Sequence, residues 1–116
     1  VMRVLVCGGR DYRKHAYVFG ILDEMHAATP ITCIIQGGAR GADLHAYLWA
    51  RERQIPNEQY DADWESDGRA AGPIRNARML RDGKPDLVVA FPGGRGTADM
   101  VSKARAAGVE VREVTA

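Results

Sequence analysis

The feature that most constrains this chain is a local order that recurs along it: a short apolar run, a turn dense in glycine, then a stretch with helical spacing. Met2 to Cys7 runs into Gly8-Gly9-Arg10-Asp11, and Ile31 to Gln36 runs into Gly37-Gly38-Ala39-Arg40-Gly41. Asp86 to Phe91, the clearest buried-strand pattern, runs into Pro92-Gly93-Gly94-Arg95-Gly96-Thr97. Parallel strands need a crossover of a dozen or more residues, usually a helix, so this order reads as successive βαβ units.

The remaining elements follow from periodicity. A helix is expected over about 14–28, with Tyr17, Val18, Ile21, Leu22 and Met25 at helical spacing. A second is expected over about 41–54, with Leu44, Tyr47, Leu48 and Arg51 along one stripe. A weaker strand near 57–61 precedes a polar loop, Asp63 to Gly72, after which Pro73 suits the first turn of a helix reaching about Arg81. A last helix runs through Ala107, Gly108 serves as its C-cap, and Val109 to Val114 forms a final strand. The expected fold is α/β: a Rossmann-like, doubly wound parallel sheet of five strands in the order 3-2-1-4-5, with helices on both faces. Residues 1–116 are read as a single domain, since this length is close to the commonest domain size.

In such sheets ligands bind beyond the carboxyl ends of the strands, where strand order reverses, here between strands 1 and 4. The loops leaving those strands, with the neighbouring loop of strand 2, bring three glycine-rich turns to one edge. Glycine lets a ligand approach the main chain, and the following helix offers unpaired amides and a positive dipole end to a phosphate. The candidate ligand-binding residues are Gly8, Gly9, Arg10 and Asp11 from the first loop. The second loop contributes Gly37, Gly38, Ala39, Arg40, Gly41 and Asp43. Pro92, Gly93, Gly94, Gly96 and Thr97 come from the third, and Arg75 and Asn76 from the helix after Pro73. Arg10, Arg40 and Arg75 are the candidate phosphate grips, Asp11 and Asp43 can take ribose hydroxyls or cap helices, and Trp64 is the better base-stacking candidate. No G-x-G-x-x-G or P-loop spacing is present, which argues against a dinucleotide dehydrogenase or P-loop NTPase.

Composition narrows the partners. The net charge is +1 and aromatic content 7%, which disfavours nucleic acid as a partner. Cys7 and Cys33 read as buried thiols of a reducing compartment, and no spacing resembles a metal site. No apolar run nears the roughly 20 residues that span a bilayer, and no signal peptide precedes the first strand, so a cytoplasmic protein is expected. No cofactor is called for.

Together the motifs Val4 to Tyr12, Gln36 to Asp43, Gly68 to Asn76 and Asp86 to Thr97 resemble the YspA-type, cpYpsA-related family of the SLOG superfamily, found in bacteria and phages. The resemblance implies a domain that binds or senses nucleotide-derived ligands such as ADP-ribose or NAD-related molecules. Two related groups frame alternatives. LOG phosphoribohydrolases, which split a nucleoside monophosphate, carry P-G-G-x-G-T-x-x-E. Here Pro92 to Thr97 fit, but the glutamate position holds Met100, and Asp99 lies about 100° round the helix. Methionine cannot move protons, so the pattern argues for holding a nucleotide rather than breaking one. DprA-type single-strand DNA binders carry turns like Gly38 to Asp43 and an Arg-Asn like Arg75-Asn76. Likeness to LOG implies a homodimer or larger assembly.

Overall fold

The computed structural model describes residues 1–116. The elements in chain order are β1 (Arg3–Cys7), α1 (His15–Ala28), β2 (Cys33–Gln36), α2 (Ala42–Glu52) and β3 (Asn57–Gln59). Then come α3 (Trp64–Asp67), a 3-10 turn (Gly68–Ala70), α4 (Ala71–Gly83), β4 (Leu87–Ala90), α5 (Arg95–Ala106) and β5 (Glu110–Glu113). The five strands form one sheet in the order β3-β2-β1-β4-β5, every pair parallel, with Val4 opposite Ile34 on one side and Leu87 on the other.

Alternation along the strands sorts the core into two layers. Val4, Val6, Ile34, Leu87 and Val89 face α1 and α2 in one apolar cluster. Leu5, Cys7, Cys33, Ile35, Val88 and Ala90 face the other way, against Met79 of α4 and Met100, Val101 and Ala104 of α5. Both cysteines are free and buried. Burial pushes the Cys7 thiol up to about 12, so it is an inert apolar filler. No helix is long and apolar enough to cross a membrane.

Two details depart from the sequence pattern. In α2 the buried face is Ala42, Ala46, Trp49 and Ala50, while Leu44 of the expected stripe is exposed. The cause is close approach: a Cβ on Gly8 would lie 2.6 Å from the Ala42 methyl, so this face admits only small side chains near the sheet. Trp49 then fills the wider gap at the far end, its indole donating to Asp23 at 2.9 Å. The second departure is the segment expected as a polar loop, which contains α3 and the 3-10 turn. Asp63 caps α3 by accepting from the Ser66 amide at 3.1 Å, and α4 starts at Ala71, two residues before Pro73.

Candidate functional site

The sheet order places the reversal between β1 and β4, and a cleft of about 580 Å³ opens at their carboxyl ends. Its walls come from the β1 loop, from Ala39 and Asp43 of the β2 turn, from the α3–α4 region and from the start of α5.

The start of α5 is the most open part. Gly94 is its N-cap, and no side chain caps the helix. The amides of Arg95, Gly96 and Thr97 have no intrahelical acceptor and no loop carbonyl takes them. Gly94 and Gly96 line the cleft, and a Cβ built on either meets nothing within 4 Å. Neither has a positive φ, so backbone strain does not account for these two glycines. Their effect is to leave the first-turn amides and the positive helix end uncovered.

Gly9, Gly37, Gly41 and Gly93 do structural work. Gly41 has φ +76°, and a Cβ there would strike the Gly9 carbonyl. Gly9 donates its amide to Pro92 at 2.9 Å and accepts from Tyr12 and Ala42, so its backbone is committed to tying the β1 loop to the β4 loop and α2. Gly93 has no room for a Cβ beside Thr97 and the Gly9 amide. A Cβ on Gly37 would fall 2.5 Å from the Arg75 guanidinium, which lies across the β2 turn and donates to the Gly37 carbonyl.

Asp43 is 6% exposed beneath the β2 turn and accepts from the Gly37 and Ala39 amides at 3.2 and 3.3 Å. It makes no bond to Arg40. Burial pushes its carboxyl up to about 6, against the pull of those amides and of Arg75 and Arg10. Burial also lowers Arg75 from the usual arginine range, with Asp43 opposing. Arg75 further donates to Asn76 within α4 at 3.0 Å, and its bond to the Gly37 carbonyl makes it a brace between α4 and the β2 turn. Asn76, 4% exposed, bridges α4 to α5 by donating to the Gly96 carbonyl at 3.1 Å and to Asp99 at 3.0 Å.

Of the sequence-derived candidates, the cleft unites Gly8, Gly9, Arg10, Ala39, Asp43, Arg75, Asn76, Gly94, Gly96 and Thr97. Gly37, Gly38 and Arg40 line an adjoining space of about 370 Å³, which shares Arg10, Ala39, Trp64 and Arg75 with the main cleft. Pro92 and Gly93 line a separate groove behind α5, together with Gly94 and Thr97. Asp11 is exposed and lines none of these spaces. Trp64 is half exposed at the boundary of the two joined spaces, with the Arg10 guanidinium 5.4 Å over its ring.

Among charged side chains, the structure adds Arg69, Arg95 and Asp99 to the cleft lining. Arg69 and Arg95 sit beside Gly68 and Gly96, and arginine beside glycine in a turn was the available signal. Asp99 faces the cleft, while Met100 is wholly buried against the sheet. Helix phase therefore turns position 100 into the core. Burial raises the Asp99 pKa, but bonds from Lys103 and Asn76 outweigh it and hold the carboxyl below its usual range.

A doubly wound α/β domain with an open glycine-turn cleft at its switch point is the class that fold and site define. Within that class, the chain belongs to the YspA, cpYpsA-related SLOG family, whose model matches residues 2–66. It is 39% identical over 117 residues to the Gene 61 protein of Mycobacterium phage D29, spanning 94% of this chain and 93% of that protein. Its fold is similar to DNA processing protein A (DprA) from Streptococcus pneumoniae, with TM-score 0.81 at 16% identity. That match covers 99% of this chain but only 50% of the DprA chain.

Proposed function

We propose that the cleft binds a phosphate-bearing, nucleotide-like small molecule, of the ADP-ribose, NAD-related or nucleoside phosphate class. The observation that carries this reading is the uncapped, uncovered first turn of α5, set in a cleft bordered by Arg10, Arg69, Arg75 and Arg95. Phosphate suits both the amides and the guanidinium groups. The volume of about 580 Å³ lies within the range of small-molecule sites. Trp64 supplies an exposed aromatic face at the mouth for a base. The free, buried Cys7 and Cys33 fit a reducing, cytoplasmic setting, and the LOG resemblance supports a homo-oligomer, which light scattering would measure.

Thermal-shift and calorimetric titration with AMP, ADP-ribose and NAD test the reading. Ligand at about 100 times Kd adds about 2.7 kcal/mol, on the order of 10 °C for a domain this size. No shift with any of them, and no nucleotide released on denaturing the purified protein, would refute it. Cleavage of the ligand lacks a carboxylate at the LOG position, because Met100 is packed in the core. Chromatography for freed base or ribose phosphate checks this directly.

A second reading is single-stranded DNA binding, supported by the DprA-like fold and by the arginines around the cleft. It requires salt-sensitive retardation of oligonucleotides.

A further inference from the structure

The proposed phosphate cleft contains two carboxylates that work against an anion, the buried Asp43 and the more exposed Asp99. Asp99 lines it together with the α5 amides, Arg69 and Arg95. A carboxylate so placed does not favour a phosphate beside it, but it offers acceptor oxygens to a ligand group that donates hydrogen bonds.

Its position is fixed from two sides. Lys103, one turn further along α5, pairs with Oδ1. The buried Asn76 amide donates to Oδ2 at 3.0 Å and to the Gly96 carbonyl at 3.1 Å. One side chain thus locks the carboxylate to the same helical turn that exposes the free amides. Each Asp99 oxygen receives one internal donor and can accept more, and the side chain remains 28% exposed. Gly96 and Asp99 are separated by about 4.5 Å along the helix axis, the scale of a sugar ring. The other nearby carboxylates are placed less well: Asp61 lines only the adjoining space, where it accepts from Gln59. Asp43 is buried and committed to the Gly37 and Ala39 amides, and Asp11 does not line the cleft.

We infer that Asp99 accepts the vicinal hydroxyls of a ribose whose phosphate lies on the first turn of α5, so that the cleft selects ribonucleotides over deoxyribonucleotides. This rests on the nucleotide reading above and narrows it. It also opposes DNA as the occupant of the same cleft.

The test is calorimetric titration of the four ribonucleoside 5′-monophosphates against their 2′-deoxy counterparts, with the unaltered chain and with Asp99→Asn. A hydroxyl bonded to a charged acceptor predicts a ribose preference of about tenfold or more. In Asp99→Asn the preference falls to within about twofold through lost ribonucleotide affinity, while deoxyribonucleotide affinity holds or rises because a repelling charge is gone. A purely structural role would weaken both series alike. Asp99→Ser repeats the measurement if Asp99→Asn melts early by circular dichroism. Equal affinities in the unaltered chain, or a preference that survives both substitutions, overturns the inference alone. Binding by neither series overturns this inference, and the nucleotide reading falls with it only if ADP-ribose and NAD fail to bind as well.

Discussion

Substituting Gly96 by alanine separates a ligand-binding role from a structural one, because the two roles predict effects of opposite sign. Gly96 is the second residue of α5, has no positive φ and offers open space to a Cβ. Replacing a helical glycine by alanine removes unfolded-state entropy worth about 0.5–1 kcal/mol. At roughly 2.1 cal/mol/K of unfolding entropy per residue, that raises Tm by about 2–4 °C. Binding moves the other way. The added methyl stands at the approach to the α5 amides, and displacing a phosphate from one charge-assisted bond costs about 1.5–3 kcal/mol, on the order of 10- to 100-fold in Kd. Differential scanning calorimetry gives the first number, and titration with ADP-ribose or AMP the second. A raised Tm with an affinity unchanged within about twofold would show that no ligand sits on these amides. A lowered Tm would show that Gly96 carries a structural load absent from its surroundings.

Gly41→Ala is the converse: positive φ and collision with the Gly9 carbonyl predict a loss of about 2 kcal/mol or more, read by urea unfolding. Asp43 has its pKa raised by burial from 3.8 to about 6, so ionising it costs the fold about 3 kcal/mol. That destabilisation is absent below about pH 4 and complete above about pH 6. The stability of the unaltered chain relative to Asp43→Asn should therefore fall across this window, and a constant difference from pH 4 to 7 would contradict the assignment. The same charge, forming near the cleft, should weaken ADP-ribose binding as pH rises through about 6, since the pyrophosphate keeps its own charge there. Trp49 is wholly buried and Trp64 half exposed, so ligand quenching of tryptophan fluorescence should vanish in Trp64→Leu while Tm changes by less than about 2 °C. Quenching that persists would place the base elsewhere.

The strand order and the meeting of three glycine turns were legible because they depend on alternation, chain length and handedness, all local or nearly so. Asp63 to Gly72 has a loop's sequence pattern because α3 buries no residue, and a helix without a buried face leaves no apolar period to find. Its sign was the Asp63 cap with Glu65 and Asp67 in the first turn, a signal of charge rather than hydrophobicity. The face of α2 is hidden from the sequence for the opposite reason. Leu44, Tyr47 and Leu48 carry the hydrophobicity, but backbone proximity at Gly8 and Gly41 selects alanines for the interior. Clearance between distant segments leaves no trace in periodicity.

The same limit governs the glycines, and it bears on what the cleft is for. In sequence, Gly41, Gly93 and Gly96 are equivalent members of glycine-rich turns. In three dimensions Gly41 is required by φ, Gly93 by the atoms of Thr97 and Gly9, and Gly96 by neither. A glycine with no steric or conformational need costs the fold helix stability, and at the cleft its lack of a side chain leaves the neighbouring amides open, the property on which the proposed binding rests. The argument holds for Gly94 and Gly96 and fails for Gly9, whose amide is already spent on Pro92. On the proposed reading, the surface offered to a ligand contracts from three glycine loops to the start of α5. The other two loops act as its frame: the β1 loop contributes Arg10, and the β2 turn is held by Asp43 of α2 and Arg75 of α4.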